Sequence, residues 1–321
     1  MKRLVFLVFS SLIVLSCEKE NTNIDNESKD VELEFVTVSE NDINLRSIFF
    51  IDSIIGYTAG YFGDIFKTID GGNTWIELNS NTDLPLFDIF FFNQKEGFIV
   101  GDGLISHTSD SGKTWQITAI SEKLQAITFK DDSTGFIVGL NIILKTLNRG
   151  STWEEVNLDG YAMDIEFANS FLGFISCLKG KIYRTSDGGN SWYLVNTNTD
   201  YHLYSISIVD PDIVYSAGQG TMIKSADGGE NWEVIPDSPS EIYALHFVSE
   251  CKGFAFGRGN YSGGDFGSDF GAFHYTFNCG QNWIGNMSIE ETTLIHSVSF
   301  PTNNKGFACS VNKIIKIKIL Q

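Results

Sequence analysis

The chain has 321 residues and a formal net charge of −18, with 19% charged residues, 13% aromatics, 31 glycines and 5 prolines. That length holds one large β domain or two ordinary ones, and the balance of few charges, many rings and many glycines excludes disorder and coiled coil. The acidity excludes an electrostatic grip on nucleic acid or anionic lipid.

At the N-terminus, Lys2 and Arg3 precede LVFLVFSSLIVLS, an apolar run too short to span a bilayer comfortably, which ends in Val-Leu-Ser-Cys at Cys17. The ending resembles a bacterial lipobox. The resemblance implies that residues 1–16 are a removed signal peptide and that Cys17 becomes a lipidated N-terminus; an ordinary signal peptide with a coincidental cysteine is the alternative. Residues 17–30 are polar, show no apolar pattern and are expected to form a flexible tether. Their acidic residues directly after Cys17 resemble the surface-export signal of some Bacteroidetes lipoproteins. The expectation is an exported protein, anchored in the envelope at the outer membrane and touching the membrane only through its lipid.

A lone strand, VELEFVTVS (Val31–Ser39), comes next, and then a unit repeats seven times. Its first strand reads RSIFF from Arg46, FDIFF from Phe87, QAITF from Gln125, MDIEF from Met163, YSISI from Tyr204, YALHF from Tyr243 and HSVSF from His296. The third and fifth columns are apolar with strand parity, as a strand packed between two sheets requires. A second strand follows as GYTAG, GFIVG, GFIVG, GFISC, IVYSAG, GFAFG and GFACS, then a third and fourth joined by a turn. That turn reads KTIDGGNTW, TSDSGKTW, TLNRGSTW, TSDGGNSW, SADGGENW and a worn TFNCGQNW, ending at Trp75, Trp115, Trp153, Trp192, Trp232 and Trp283. All 6 tryptophans of the chain hold this one position. Four strands at a period near forty predict an all-β fold, a seven-bladed β-propeller of four-stranded antiparallel blades over residues 31–321. The seventh unit lacks the turn and a fourth strand. Residues 31–39 are expected to supply that strand, closing the ring and covering both free edges.

The turns resemble Asp-box (BNR) repeats. That resemblance implies structural roles: Asp70, Asp110, Asp187 and Asp227, with Asn148 and Asn278, accept N–H bonds within their own hairpin while a glycine takes positive φ and the tryptophan packs beneath. Among Asp-box proteins, the length, the seven units and the phrase DSTGFIVG (Asp132–Gly139) look most like the photosystem II assembly/stability factor family. This implies a binding or assembly role toward a protein partner.

Sialidases share the repeat, but a sialidase needs three arginines converging on its substrate. Beyond Arg3 the chain has only Arg46, Arg149, Arg184 and Arg258, two of them at Asp-box turns, and no Phe-Arg-Ile-Pro segment. An endoglucanase cleft needs two propellers. The remaining alternative is carbohydrate-active: a lectin-like module, or a glycosidase using Asp88 and Asp164. Those two belong to the second column (Ser47, Asp88, Ala126, Asp164, Ser205, Ala244, Ser297), whose plainer reading is a solvated channel wall. The first column (Arg46, Phe87, Gln125, Met163, Tyr204, Tyr243, His296) is chemically mixed among apolar neighbours and is read as a contact ring at one end. Unit six carries a Gly-rich insertion, GRGNYSGGDFGSDFGAF, whose Arg258, Tyr261, Asp265, Phe266, Asp269 and Phe270 are further contact candidates.

The 5 histidines show no metal spacing, no catalytic nucleophile motif occurs, and Asp265 with Asp269 gives only a faint hint of calcium, so no metal and no cofactor are expected. Cys251 and Cys279 fall at one end of one unit and can pair in an oxidising compartment. The reading is a monomeric, non-catalytic binding or assembly scaffold with a protein partner, a glycan being the alternative ligand.

Overall fold

In the computed structural model, residues 30–39, 41, 43–239, 241–259, 270–289 and 294–320 are described. The signal peptide, Cys17, Tyr261, Asp265, Phe266 and Asp269 lie outside them, as does the tether up to residue 29.

Each repeat folds as the alternation of its side chains dictates. After β1 (Val31–Thr37), blade one comprises β2 (Leu45–Phe50), β3 (Gly56–Gly60), β4 (Ile65–Thr68) and β5 (Ile76–Leu78). Blades two to four comprise β6 (Leu86–Phe91), β7 (Gly97–Thr108), β8 (Gln116–Phe129), β9 (Gly135–Thr146), β10 (Glu154–Phe167), β11 (Gly173–Cys177), β12 (Ile182–Thr185) and β13 (Tyr193–Val195). The sequence pattern puts separate strands here. Instead, β7 and β9 each run two strands of one blade together through left-handed residues, Gly103 and Asn141. β8 and β10 each continue from the outer strand of one blade into the inner strand of the next, so three blades share one eight-stranded sheet.

Blade five is β14 (Leu203–Ile208), β15 (Val214–Gly218), β16 (Thr221–Ser225) and β17 (Glu233–Val234). Blade six is β18 (Ile242–Ser249), β19 (Lys252–Gly259), β20 (Phe270–Thr276) and β21 (Ile284–Ile289). Blade seven is β22 (Ser297–Thr302), β23 (Lys305–Cys309) and β24 (Lys313–Ile319), completed by β1 in the order β1-β24-β23-β22. β1 runs antiparallel to β24 from Val31 opposite Ile319 to Thr37 opposite Lys313, as expected of a closing strand. The inner strands touch in a closed cycle, β2 to β6, β8, β10, β14, β18, β22 and back to β2. Seven blades therefore surround one axis.

The blades stack through rings. In six blades the fifth-column phenylalanine of the inner strand stacks on the second-strand aromatic of the preceding blade: Phe50 on Phe307 at 3.6 Å, Phe91 on Tyr57 at 3.8 Å, Phe247 on Tyr215 at 4.0 Å. The same ring also covers the glycine opposite it in its own blade. A Cβ on Gly56 would stand 2.6 Å from Phe50 Cζ, and one on Gly135 would stand 2.4 Å from Phe129 Cε1. Each Asp-box tryptophan meets a ring of this belt edge-on, Trp75 on Phe50 at 6.0 Å for example.

The Asp-box hairpins are each tied by their own acceptor side chain. Asp70 accepts bonds from the Thr74 hydroxyl at 2.6 Å, the Thr74 N–H at 2.9 Å and the Asn73 N–H at 3.0 Å, which hold its carboxyl down to about 2. Asn148 and Asn278 accept the N–H of Thr152 and Asn282, each at 2.9 Å. Cys251 and Cys279 are disulfide-bonded, joining the first turn of blade six to its Asp-box turn.

Candidate binding site at one mouth of the ring

An inner strand has a neighbour on one side only, so half of its N–H groups face the axis without a ladder partner. The second and fourth columns meet this need across the blade boundary. Ser297 and Ser299 accept the N–H groups of Ile48 and Phe50, and Ser205 and Ser207 accept those of Leu245 and Phe247. Asp88 accepts Ile127 N–H at 2.9 Å and Asp164 accepts Ile206 N–H at 3.0 Å, while their second oxygens hold Ile89 and Ile165 of their own strands. Glu166 accepts the N–H of Ile208 at 3.1 Å.

Ser297, Asp88, Asp164 and Ser205 of the second column are thus ties between blades, which its Ala126 and Ala244 are not, and the two carboxylates of the glycosidase alternative are committed to main-chain donors. Burial dominates their titration: Asp88 is pushed up to about 7 and Glu166 to about 8, and Asp164 is also raised.

The first column lies at the end of the ring opposite the Asp-box turns, which are bonded to the first turns of their blades (Gly71 N–H to Ile54 carbonyl, 2.9 Å). A regular strand would point all of these residues between the blades. The ladders instead shift register between Leu45 and Ser47, Leu86 and Asp88, Leu124 and Ala126, Ala162 and Asp164, Leu203 and Ser205, and Ile242 and Ala244. Arg46, Phe87, Gln125, Met163, Tyr204 and Tyr243 are therefore each the extra residue of a β-bulge, which turns a side chain out of the ladder. His296 has no such shift and instead donates its N–H to the Cys309 carbonyl at 3.1 Å. The residue before each first-column position is apolar and buried: Leu45, Leu86, Leu124, Ala162, Leu203, Ile242 and Ile295.

Most of the bulged residues join into one belt. Tyr204 stacks on Tyr243 at 4.7 Å, and Tyr243 meets the His296 ring edge-on at 6.1 Å. Arg46 Nη1 lies 3.3 Å from His296 Nδ1 and the guanidinium sits 5.1 Å from the centre of the Tyr61 ring. Tyr61 contacts Phe87 at 6.3 Å, Lys123 lies over Phe87 at 4.7 Å and over Tyr161 at 5.9 Å, and the Tyr161 hydroxyl donates to Gln125 Oε1 at 3.4 Å. Met163 is half-buried at the equivalent bulge of β10. Arg258 and Phe270 stand at the base of the blade-six insertion, where Gly259 pairs with Phe270, at this same end.

Four members of the belt were not singled out from the sequence: Tyr61, Lys123, Tyr161 and His202, the last 6.2 Å from Tyr204. Three of them carry a legible signal. They fall two positions before the first column, where the series Asn44, Pro85, Lys123, Tyr161, His202, Glu241, Leu294 is as mixed as the first column itself. Tyr61 follows the closing glycine of GYTAG. Its N–H bonds the Asn44 carbonyl at 2.8 Å, so the inter-blade loops and second turns share one rim.

Among the described residues no group of three metal-ligating side chains gathers, and no helix is long and apolar enough to cross a membrane.

The geometry defines a β-propeller of Asp-box blades with one elaborated mouth. Residues 25–127 match the family described as photosynthesis system II assembly factor YCF48. In three dimensions the chain is similar to YCF48 bound to D1 peptide, with TM-score 0.71 and 17% identity over 90% of this chain and 95% of that one. It is similar to YCF48 from Cyanidioschyzon merolae, with TM-score 0.69 and 15% identity over 89% and 98%. It is also similar to a virginiamycin B lyase from Staphylococcus aureus, with TM-score 0.72 and 13% identity over 91% and 100%. At such identities the likeness establishes the fold, and this fold serves both a peptide binder and a lyase.

Proposed function

We propose that this protein is a non-catalytic binding or assembly scaffold that presents the bulged mouth of its propeller to a protein partner. The observation that carries this reading is the bulge set: six of the seven first-column residues leave the ladder at one end. An aromatic belt with two cations, Arg46 and Lys123, suits a polypeptide surface, since rigid rings give contact area at little entropic cost. The match of residues 25–127 to the YCF48 family, one of whose structures holds a bound D1 peptide, supports a peptide-binding role. The charge pattern and cysteine of residues 2–17 support export and anchoring through a lipid on Cys17, which a Cys17→Ala substitution tests by releasing the chain from the envelope.

The mouth is tested by replacing Phe87 or Tyr204, in the full chain in cells, with a photo-cross-linking phenylalanine analogue. One discrete protein adduct is expected at these positions, reduced by Tyr243→Ala, and absent when the analogue replaces Leu147 or Phe171, which are 63% and 68% exposed at the opposite end. Equal capture from both ends would refute the assignment. So would a polysaccharide hydrolysis lost in Asp88→Asn.

A further inference from the structure

Arg46 is a cation that its surroundings do not neutralise. Its Nε is buried without a hydrogen-bond partner, and among the described residues no carboxylate lies within ion-pair distance. Two other arginines show the contrast: Arg149 pairs with Glu96 and Arg184 with Glu230, each at 3.0 Å. Burial lowers the Arg46 guanidinium, and the groups around it, the phenols of Tyr61 and Tyr243 and the Cys309 thiol, carry no charge that would offset its own.

His296 does not offset the charge either. Burial, with Arg46 beside it, pushes the imidazole down to about 3, so the ring is neutral. A guanidinium can only donate, so Nδ1 accepts from Nη1 and the ring proton sits on Nε2. Asp64 stands against Gly60 with its Oδ2 unpartnered and does not reach Arg46 within ion-pair distance, and two other acids are engaged elsewhere. Asp88 takes Ser47, Ile89 and Ile127, and Glu241 bears on the Tyr204–Tyr243 side. A half-buried charge without a partner is costly, and an anion from outside offsets that cost.

We propose that Arg46 anchors a carboxylate-binding site at the mouth of the ring, with Tyr61, Phe87, Tyr204 and Tyr243 as aromatic walls beside the bound group. The proposal rests on the reading of this mouth as the ligand surface and names the chemistry that surface selects. His296 holds Nη1, leaving Nη2, which makes no hydrogen bond within the described chain, to donate to the incoming oxygen. The carboxylate can come from the C-terminus of a peptide or from a free organic acid.

The chain contains five arginines, so 15N labelling of arginine Nε gives few signals, and the one missing in Arg46→Gln is that of Arg46. The full chain is titrated with N-acetylphenylalanine and its carboxamide, and with a pentapeptide ending in phenylalanine as free acid and as amide. The Arg46 signal is expected to move with both acids and stay still with both amides. By calorimetry, Arg46→Gln is expected to weaken acid binding at least about tenfold, the scale of one charge-assisted hydrogen bond. A peptide acid about tenfold tighter than the single amino acid assigns a peptide C-terminus, and equal affinities assign a free acid.

Equal responses to acid and amide, or unchanged acid binding in Arg46→Gln, would overturn the site. So would a response seen only in a Glu290→Gln, Glu291→Gln double variant, whose positions lie outside the described residues, because the chain would then supply its own anion. Arg46→Gln should melt no lower than the parent, and a loss of several degrees would assign Arg46 to structure instead. Cross-link capture at Phe87 and Tyr204 that persists with a silent Arg46 would leave the partner surface standing and remove only the carboxylate.

Discussion

A pairing inside single blades shows how residue identities depend on one another. In six blades the fifth-column phenylalanine of the inner strand covers a glycine of the second strand, and the ring occupies the space a Cβ would need. Blade five departs twice at once: Ile208 stands for the phenylalanine and Val214 for the glycine, and the two face each other. Trp232 still meets Phe174 of the preceding blade edge-on, at 6.2 Å, as Trp153 meets Phe98 and Trp192 meets Phe136 in blades that keep the ring. The substitution Ile208→Phe alone should therefore clash with Val214 and cost about 1–3 kcal/mol, the usual scale of overpacking. Adding Val214→Gly should recover most of that loss. Denaturant unfolding of the two single variants and the double variant measures the coupling, and simple additivity would refute the pairing.

At the scale of the element, the inner strands carry acids because their axis-facing N–H groups need acceptors. Burial raises Glu166 to about 8 and Asp88 to about 7, so the folded chain holds protons that the unfolded chain has released, and stability falls as pH rises through that window. His246 and His296, lowered by burial to about 4 and about 3, act in the opposite direction below pH about 6.5. The carboxylate effect is thus clearest between pH about 6.5 and 8, where each proton is worth about 1.4 kcal/mol per pH unit. Glu166→Gln keeps an acceptor for Ile208 without the charge. Its melting temperature, followed by calorimetry, should decline over this interval by a few degrees less than that of the parent, at about 2–4 °C per kcal/mol. Parallel declines would show that Glu166 does not titrate there. The bulges belong to this scale too. Apolar periodicity marks a strand and its buried face, but a one-residue slip leaves almost no trace in it. The mixed first column could be recognised from the sequence, whereas the reason its side chains leave the ladder could not.

For the whole molecule, the repeat was legible because most blades spend the same residues on the same contacts: in six a tryptophan under the hairpin and an acceptor in its turn, in six a ring over a glycine. The closing strand could be read from what unit seven lacks. The running of β7 and β9 each through two strands of one blade was hidden, since it turns on single left-handed residues, Gly103 and Asn141, between patterns that resemble those of the other blades. Closure also predicts a collective effect. Removing residues 31–37 strips β24 of its neighbour along seven paired positions and exposes that edge. The shortened chain should unfold at lower denaturant and self-associate, as sedimentation and urea titration would reveal. A truncated chain as stable and monodisperse as the parent would mean that β1 contributes nothing to closure.

The polarity of that closing strand has a further effect. β1 enters beside Ile319, at the level of the Asp-box hairpins, and leaves beside Lys313, near the first-column rim. The first described residues and the rim that carries Arg46 with its surrounding rings therefore lie at opposite ends of the ring.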